Sequence, residues 1–409
     1  MFPRPDHPRA VVVTGVGLAT SLGAGLAEFG DALLGGAARF GCVATRHAAP
    51  IAAARVAEDL TLGTSRSERK LGDRSVLLAL AASTRALHDA GLAAGDPERH
   101  RCGVFVGCGS GPTQALDEVY ATVHRDGSMA GLALLRCLPN GVAAALAMRH
   151  GLHGPAHTHA SACASSAIAI GEALRAIRHG YLERALVGGT EAPFGDVTVK
   201  AWERLRVLAP PGEDPARACK PFDRRRNGIV LGEGAAFFVL ESETAAAARA
   251  APVHARLLGY GGTCDARHWT EPCPEGQAQA MAAALADAGL AATDIHAINA
   301  HGTGTVVGDS AEAASIARVF GTGADAPWVS STKPLHGHTL GASGAIELAA
   351  CVASLQRGLV PATRNLEEPD PALLVHPVLG APRALPAGAN LLSNSFAFGG
   401  SNACLVISR

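Results

Sequence analysis

Apolar and polar positions alternate between two periods along this chain. "AVVVTGVGLATSLG" is a β-branched run ending in a glycine turn, and "DRSVLLALAASTRALHDAGL" then places apolar residues at helical spacing up to a glycine stop. "CGVFVGCGSG" predicts a short buried strand, the segment from Thr158 to Ala169 a strand, a tight small-residue turn and a helix, and "ERALVGGTEAP" the next strand. "GIVLGEGAAFFVLES" predicts two strands joined as a hairpin through Gly232 to Gly234. After an Ala-rich linker the rhythm restarts with "HARLLGYGG", "AMAAALADAGL", "IHAINAHGTGT", "AEAASIARVF", "AIELAACVASL" and "NLLSNSFAFGGSNACLVISR". Strands alternating with helices in both halves predict an α/β protein with largely parallel sheets. The boundary falls between Glu241 and Ala251, giving halves of residues 1–250 and 251–409. Two helices, beginning near Cys163 and Gly344, contain so few charges that burial between two sheets is expected.

Composition narrows the function class more than the fold. The 409 residues include 35 basic and 36 acidic side chains, a formal net charge of -1, so no field favours nucleic acid or an anionic membrane surface. Apolar stretches are broken well before membrane-spanning length, and "MFPRPDHPRA" lacks the basic-then-apolar pattern of a secretory signal, which predicts a cytoplasmic protein. Ten cysteines occur without a C-x-x-C pair, so zinc and thioredoxin-like patterns are missing and most thiols read as small core fillers.

Cys163 differs from the other thiols in its surroundings. It heads a helical run, flanked by Ala160, Ser161, Ala162 and Ala164, and Ser165 and Ser166 stand where a helix leaves its first amides unbonded. A thiol there meets the positive end of the helix dipole, which predicts a lowered pKa, and its own amide can donate to a developing oxyanion. On these residues alone, a packed thiol and a nucleophile are both open. His301 ends an apolar strand ahead of a Gly/Thr loop, and "STKPLHGHTLGASGAIE" brings Lys333, His336, His338 and Glu347 together in an apolar setting. For Lys333 and Glu347 the alternatives are a surface ion pair and a buried one; the Leu-Ala-Ala after Glu347 favours burial. A zinc set of His301, His336, His338 and Asp309 is the minor alternative, weakened by a two-residue spacing across Gly337. His157 and His159 alternate on a strand and so share a face. Gly15 and Gly17 resemble a dinucleotide fingerprint but read as packing glycines, since Thr20 takes the third place. Phe398 precedes Gly399 and Gly400, on a loop able to present its ring or its amide, or on a bulge before the last strand.

Taken together, "VVVTGVG", "SACASS", "PFDRRRNGIVLGEGA", "NAHGTGTVVGDSAEA", "STKPLHGHTLGASGAIE" and "NSFAFGGSN", in that order, resemble the elongating β-ketoacyl-acyl carrier protein synthases of fatty acid and type II polyketide pathways. The resemblance covers nearly the whole chain. It implies a thiolase-like fold of two similar βα halves in layers, a dimer, and an acyl carrier protein as partner, with no cofactor and no metal. It implies Cys163 as the acyl-accepting nucleophile and His301 and His338 as the pair assisting malonyl decarboxylation and stabilising the enolate. Lys333 and Glu347 would organise the histidines, and Phe398 would gate the pocket, its amide joining that of Cys163 in the oxyanion hole. Thr303 and Thr305 match pantetheine contacts, Gly399 and Cys108 are expected to contact the substrate, and Asp309 matches a residue that holds the surrounding loop.

Two positions depart from the family pattern: Ala397 stands where glycine is common, and Cys108 where a larger aliphatic residue lines the acyl pocket. Both leave the chemistry in place and favour a specialised polyketide or polyene pathway over housekeeping fatty acid elongation by a homodimer. A biosynthetic thiolase would add a second catalytic cysteine near the C-terminus, where Cys404 reads as buried. A non-catalytic chain-length partner would replace the nucleophile, which this chain keeps; the partner subunit is then either a copy or a chain-length-factor-like protein.

Overall fold

The computed structural model describes residues 9–61, 63–92 and 97–409; the opening residues 1–8, on which the missing signal pattern was partly read, lie outside the described residues. The first half contains β1 (Val11–Ala19), α1 (Arg74–Asp89), β2 (Gly103–Gly107), β3 (Ala156–His159), α2 (Ser165–Arg178), β4 (Arg184–Glu191) and β5 (Gly234–Ser242). The second contains β6 (Ala255–Cys264), α3 (Pro274–Ala288), β7 (Ile295–Asn299), α4 (Val306–Phe320), β8 (Trp328–Ser330), α5 (Ser343–Arg357), β9 (His376–Pro377), β10 (Asn390–Phe396) and β11 (Ser401–Ser408).

These strands form one hydrogen-bonded sheet in the order β9-β8-β7-β10-β11-β6-β1-β5-β4-β2-β3. Outward from the centre, β1-β5-β4-β2-β3 and β6-β11-β10-β7-β8 repeat the same sequence of first, last, next-to-last, second and third strand. The halves meet where Val11–Val13 run antiparallel to Ala255–Leu257. The sheet is mixed, which corrects the expectation of largely parallel pairing. In each half the final strand returns beside its predecessor, so β4/β5 and β10/β11 are antiparallel, while β2 and β7 keep parallel neighbours on both sides.

The helices divide by composition. The outer helix α1 starts at Asp73, whose carboxylate accepts the Ser75 N–H, and packs closely on β1; a Cβ on Gly15 or Gly17 would run into the carbonyls of Ala86 and Ala82. Close helix-strand approach is therefore what those glycines provide. α5 and α2, the latter with Glu172, Arg175 and Arg178 on its less buried side, contact each other and strands of both halves, as their apolar faces predict. Ala167, Ile170, Leu174, Ala345, Leu348 and Val352 are buried in one core. Ala and Gly on these faces let backbones approach at close-packed density.

Two local expectations fail. Gly232 to Gly234 does not form a hairpin: Leu231–Gly232 joins a small sheet with Ile51–Ala54, and only Gly234–Ser242 enters the main one. Between them Glu233 is buried and bonded by Arg74, so the chain crosses from one sheet to the other on a charged anchor. The Ala-rich linker is a helix, Glu243–Ala248, capped by the Ser242 hydroxyl accepting the Ala245 N–H.

Candidate active site

Equivalent turns in the two halves bring the reactive side chains together. Cys163 lies in the short turn Ala162–Ala164 before α2, and His338 lies just ahead of the matching turn Leu340–Ala342 before α5. Ala162 and Leu340 take left-handed φ values of 45° and 46°, an uncommon conformation for residues with a side chain. The serines after Cys163 bond differently from expectation. Ser165 Oγ donates to the Ala162 carbonyl and accepts the Ser161 N–H, whereas Ser166 Oγ accepts the Ala345 N–H and so ties α2 to the first turn of α5. His301 leaves the end of β7.

The Cys163 sulfur and one ring nitrogen each from His301 and His338 lie within 4.8 Å of one another. His338 Nε2 is 3.1 Å from the sulfur and its Nδ1 is 2.9 Å from Ser343 Oγ. Lys333 Nζ is 3.4 Å from His301 Nδ1 and ion-pairs with Glu347, both charged groups being fully buried. The surface alternative for that pair is therefore excluded. An ammonium has only donors, so His301 Nδ1 presents its lone pair and the ring proton sits on Nε2; a Ser343 hydroxyl donating to His338 Nδ1 places that ring's proton on Nε2 likewise. Burial and then Lys333 hold both imidazoles well below the ordinary 6.5. Two neutral rings thus present Nε2–H donors to one spot.

For the thiol the structure corrects the expected lowering of pKa. Burial pushes Cys163 up to about 12, with Lys333 pulling it down and Glu191 and Glu347 pushing it further up. A helix end presents only about half an elementary charge, and desolvation of a thiolate in a closed turn outweighs it. The resting thiol is protonated. Phe398 lines the same cavity as the thiol, and its backbone N–H is among the influences that pull Cys163 back down. Because both imidazoles resist protonation, the ring C2–H signals of His301 and His338 are expected not to titrate between pH 8 and 6, a range in which the buried Glu191 and Glu347, both raised to about 7, do change charge. Proton NMR with the two signals assigned by His301→Asn and His338→Asn checks this; a midpoint near 6.5 for either ring contradicts it.

A cavity of about 550 Å³ opens over these groups. Cys163, His301 and His338 line it, together with Thr303, Thr305, Phe396, Ala397 and Phe398. Thr305 Oγ1 caps α4 through the Gly308 N–H and stands 3.0 Å from Thr303 Oγ1. Asp309 is buried and accepts the Phe222 and Gly304 amides, tying the Thr303–Thr305 loop to a neighbouring turn. The zinc alternative is not assembled: both ring nitrogens of His336 are occupied, by Thr332 Oγ1 and the Gly337 carbonyl, and Asp309 is committed to amides. His157 and His159 lie on β3 with ring centroids 6.4 Å apart.

Two residues read as substrate contacts do not line the cavity. Cys108 is buried with its sulfur toward Glu191, because β2 ends behind the nucleophile turn. Gly399 turns its N–H to the Trp269 carbonyl at 2.7 Å, and its φ of 82° shapes the turn that presents Phe398. Ala397 has φ -118°, extended backbone open to any residue, so the departure from glycine brings no strain. Cys404 is buried in β11 with its sulfur 3.2 Å from Asn394 Oδ1, away from the cavity. Sequence reasoning missed Trp202, which stacks on Phe398 at 6.0 Å. It also missed Glu312, whose buried carboxylate accepts the His301 and Gly302 amides at 2.8 and 2.7 Å. A carboxylate three residues after Asp309 on an otherwise apolar helix face was the available signal for the second.

A buried thiol and two neutral imidazoles at the floor of one cavity, on a duplicated α/β frame, define a thiolase-like condensing enzyme. The chain belongs to the β-ketoacyl synthase family: the model of its N-terminal domain matches residues 8–246 and that of its C-terminal domain residues 254–367. It is 40% identical to nodulation protein E of Rhizobium sp. (strain N33) over 97% of this chain and 98% of that protein. It is 36% identical both to 3-oxoacyl-[acyl-carrier-protein] synthase 2 of Synechocystis, over 98% of each chain, and to the tetracenomycin polyketide synthase ketoacyl synthase alpha subunit of Streptomyces glaucescens, over 98% of this chain and 97% of that one. Among solved structures, a β-ketoacyl synthase from Burkholderia phymatum superposes with TM-score 0.90 at 34% identity, covering 98% of this chain and 99% of that one. The ishigamide ketosynthase/chain length factor gives 0.89 at 31% with the same coverage. A type II polyketide ketosynthase in complex with its acyl-carrier protein gives 0.89 at 27%, covering 98% of this chain and all of that one. The protein is an acyltransferase of the β-ketoacyl synthase kind, and among the described residues no helix is long and apolar enough to cross a membrane.

Proposed function

We propose that the protein is the catalytic ketosynthase of a specialised type II polyketide or polyene pathway. It condenses a malonyl group on an acyl carrier protein with an acyl group held on Cys163. The observation behind this is the convergence of the Cys163 sulfur with His301 and His338 within 4.8 Å. In the first half-reaction the sulfur attacks the acyl thioester, the carbonyl oxygen is held by the Cys163 and Phe398 amides, and the thiol proton ends on the departing pantetheine sulfur. In the second, malonyl loses carbon dioxide, and the resulting enolate oxygen accepts the two Nε2–H groups. Its carbon attacks acyl-Cys163, the C–S bond breaks, Cys163 departs as a thiolate that takes up one proton from water, and the chain leaves two carbons longer. Lys333 fixes the His301 tautomer and Glu347 neutralises Lys333; Thr303 and Thr305 receive the pantetheine arm at the cavity mouth. This chemistry calls for no cofactor.

The second reading is fatty acid elongation by a homodimer, supported by the likeness to the Synechocystis enzyme. In either case Tyr120, Met129, Leu134 and Leu135, all exposed large apolar side chains, are candidates for cover by the partner subunit. The division near residue 250 would give the nucleophile to one half and both histidines to the other. Ten free thiols fit a cytoplasmic setting. The test incubates purified protein with acyl-loaded carrier protein, maps the acylated peptide by mass spectrometry and adds malonyl carrier protein, with and without a chain-length-factor-like subunit. Acylation at Cys163 and a product two carbons longer are expected. Elongation only with the added subunit favours the polyketide reading, elongation alone favours the homodimer, and no acyl group on Cys163 overturns both.

A further inference from the structure

Glu191, at the end of β4, is fully buried, and no described lysine or arginine pairs with it. Its Oε2 accepts the N–H groups of Gly109 at 2.8 Å and Gly341 at 3.0 Å, and its Oε1 accepts that of Ser110 at 3.2 Å. These amides come from different halves: Gly109 and Ser110 follow β2, whereas Gly341 lies in the turn three residues after His338. A Cβ on Gly341 would strike the Gly109 nitrogen and, at 2.6 Å, Glu191 itself; one on Gly109 would meet the Ala162 carbonyl at 2.9 Å. Of the two turns with left-handed non-glycine residues, the one with Leu340 is bonded to the carboxylate through Gly341, and the one with Ala162 packs on Gly109, which the same carboxylate holds. Strained backbone of this kind persists only where its surroundings over-determine it. The other half repeats the device, since Glu312 gathers the amides of His301 and Gly302.

We propose that Glu191 is a positioning residue of the condensing site: it draws the loop after β2 and the turn before α5 together beneath Ala162, and so sets the separation of Cys163 from His338. This rests on the ketosynthase reading for its consequence in turnover, but not for its effect on the thiol. Burial raises Glu191 to about 7 while the three amides pull it down, and its charge raises the Cys163 thiol, as that of Glu347 does and against Lys333. Removing the charge therefore eases ionisation of Cys163, and removing every acceptor releases the two turns.

Glu191→Gln keeps the shape and one oxygen; Glu191→Leu keeps the bulk and neither. The measurement is the pH dependence of Cys163 alkylation by iodoacetamide, located by peptide mapping, beside kcat and KM for acyl transfer and circular dichroism as a fold control. For Glu191→Gln the alkylation profile is expected to move to lower pH, with kcat within about threefold of the parent. For Glu191→Leu kcat is expected to fall at least about tenfold, with KM for the carrier substrate unchanged, because the cavity mouth is untouched. An unshifted alkylation profile in Glu191→Gln overturns the proposal even if the leucine variant does not fold; so does a folded leucine variant with parental kcat. If the parent protein forms no acyl-Cys163, the ketosynthase reading fails, and the positioning role is then judged by Cys163 alkylation in the folded leucine variant at fixed pH: a changed rate supports it and a parental rate overturns it.

Discussion

Cys163→Ala is expected to lose acyl transfer and condensation together, by about 10³-fold or more each, while malonyl decarboxylation continues. The separation follows from which atoms each step uses. Acyl transfer needs a sulfur facing both the bound thioester and an imidazole, and the Cys163 sulfur lines the cavity 3.1 Å from His338 Nε2. Cys108, Cys219 and Cys404 are all buried away from the cavity lining. Decarboxylation needs donors for the enolate oxygen, and these are the Nε2–H groups of His301 and His338, whose Nδ1 partners Lys333 and Ser343 remain when the sulfur, 3.1 Å from His338 Nε2, is removed. Release of carbon dioxide from malonyl carrier protein, measured beside formation of acyl-enzyme, checks both arms. Acylation of the alanine variant at another residue would sink the assignment of the nucleophile. Loss of decarboxylation in a folded variant would instead mean that the thiol helps to hold the imidazoles.

Legibility in the sequence followed the range of the interactions. The alternation of strands and helices was readable where apolar periodicity ran unbroken, and α2 and α5 could be placed inside because their Ala-rich faces carry few charges; the helices Thr113–Asp126 and Gly141–His150 were not read. The small-residue turn at Cys163 and the charged groups of the Lys333–Glu347 segment were visible for the same local reason. Strand order was not: pairing of β1 with β5 and β6 joins residues more than 200 apart, and this makes the sheet mixed. The Gly232–Gly234 segment reads locally as a hairpin, yet Arg74 holds Glu233 from a distant helix and sends the chain into two sheets. The sign of the Cys163 shift was also out of reach, because the helix end is written in the neighbouring residues whereas the desolvation depends on everything packed around the turn. Glu191 and Glu312 escaped for a related reason: both act by accepting backbone amides, and an amide leaves no mark in the sequence.

Lys333 joins stability to chemistry more tightly than any other side chain at the site. It is fully buried, pairs with the equally buried Glu347, and is the group facing His301 Nδ1. Breaking a buried pair from one side leaves an uncompensated charge, typically at a cost of about 3–5 kcal/mol, so Lys333→Met is expected to lower stability by about that much. Glu347, already raised to about 7 by burial with Lys333 pulling it down, then rises further and is neutral at physiological pH. Catalysis suffers separately. Without an ammonium opposite Nδ1 the His301 proton is free to sit on either nitrogen, and the enolate loses one assured donor, an effect of about 10²- to 10³-fold where oxyanion donors are removed. The double variant Lys333→Met/Glu347→Gln removes both charges and resolves the two effects: denaturant unfolding should show most of the stability regained, while decarboxylation stays as low as in the single variant. Recovery of both would leave Lys333 a merely structural ion-pair partner, and failure of stability to recover would place its cost in packing around the long side chain instead of in the unpaired carboxylate.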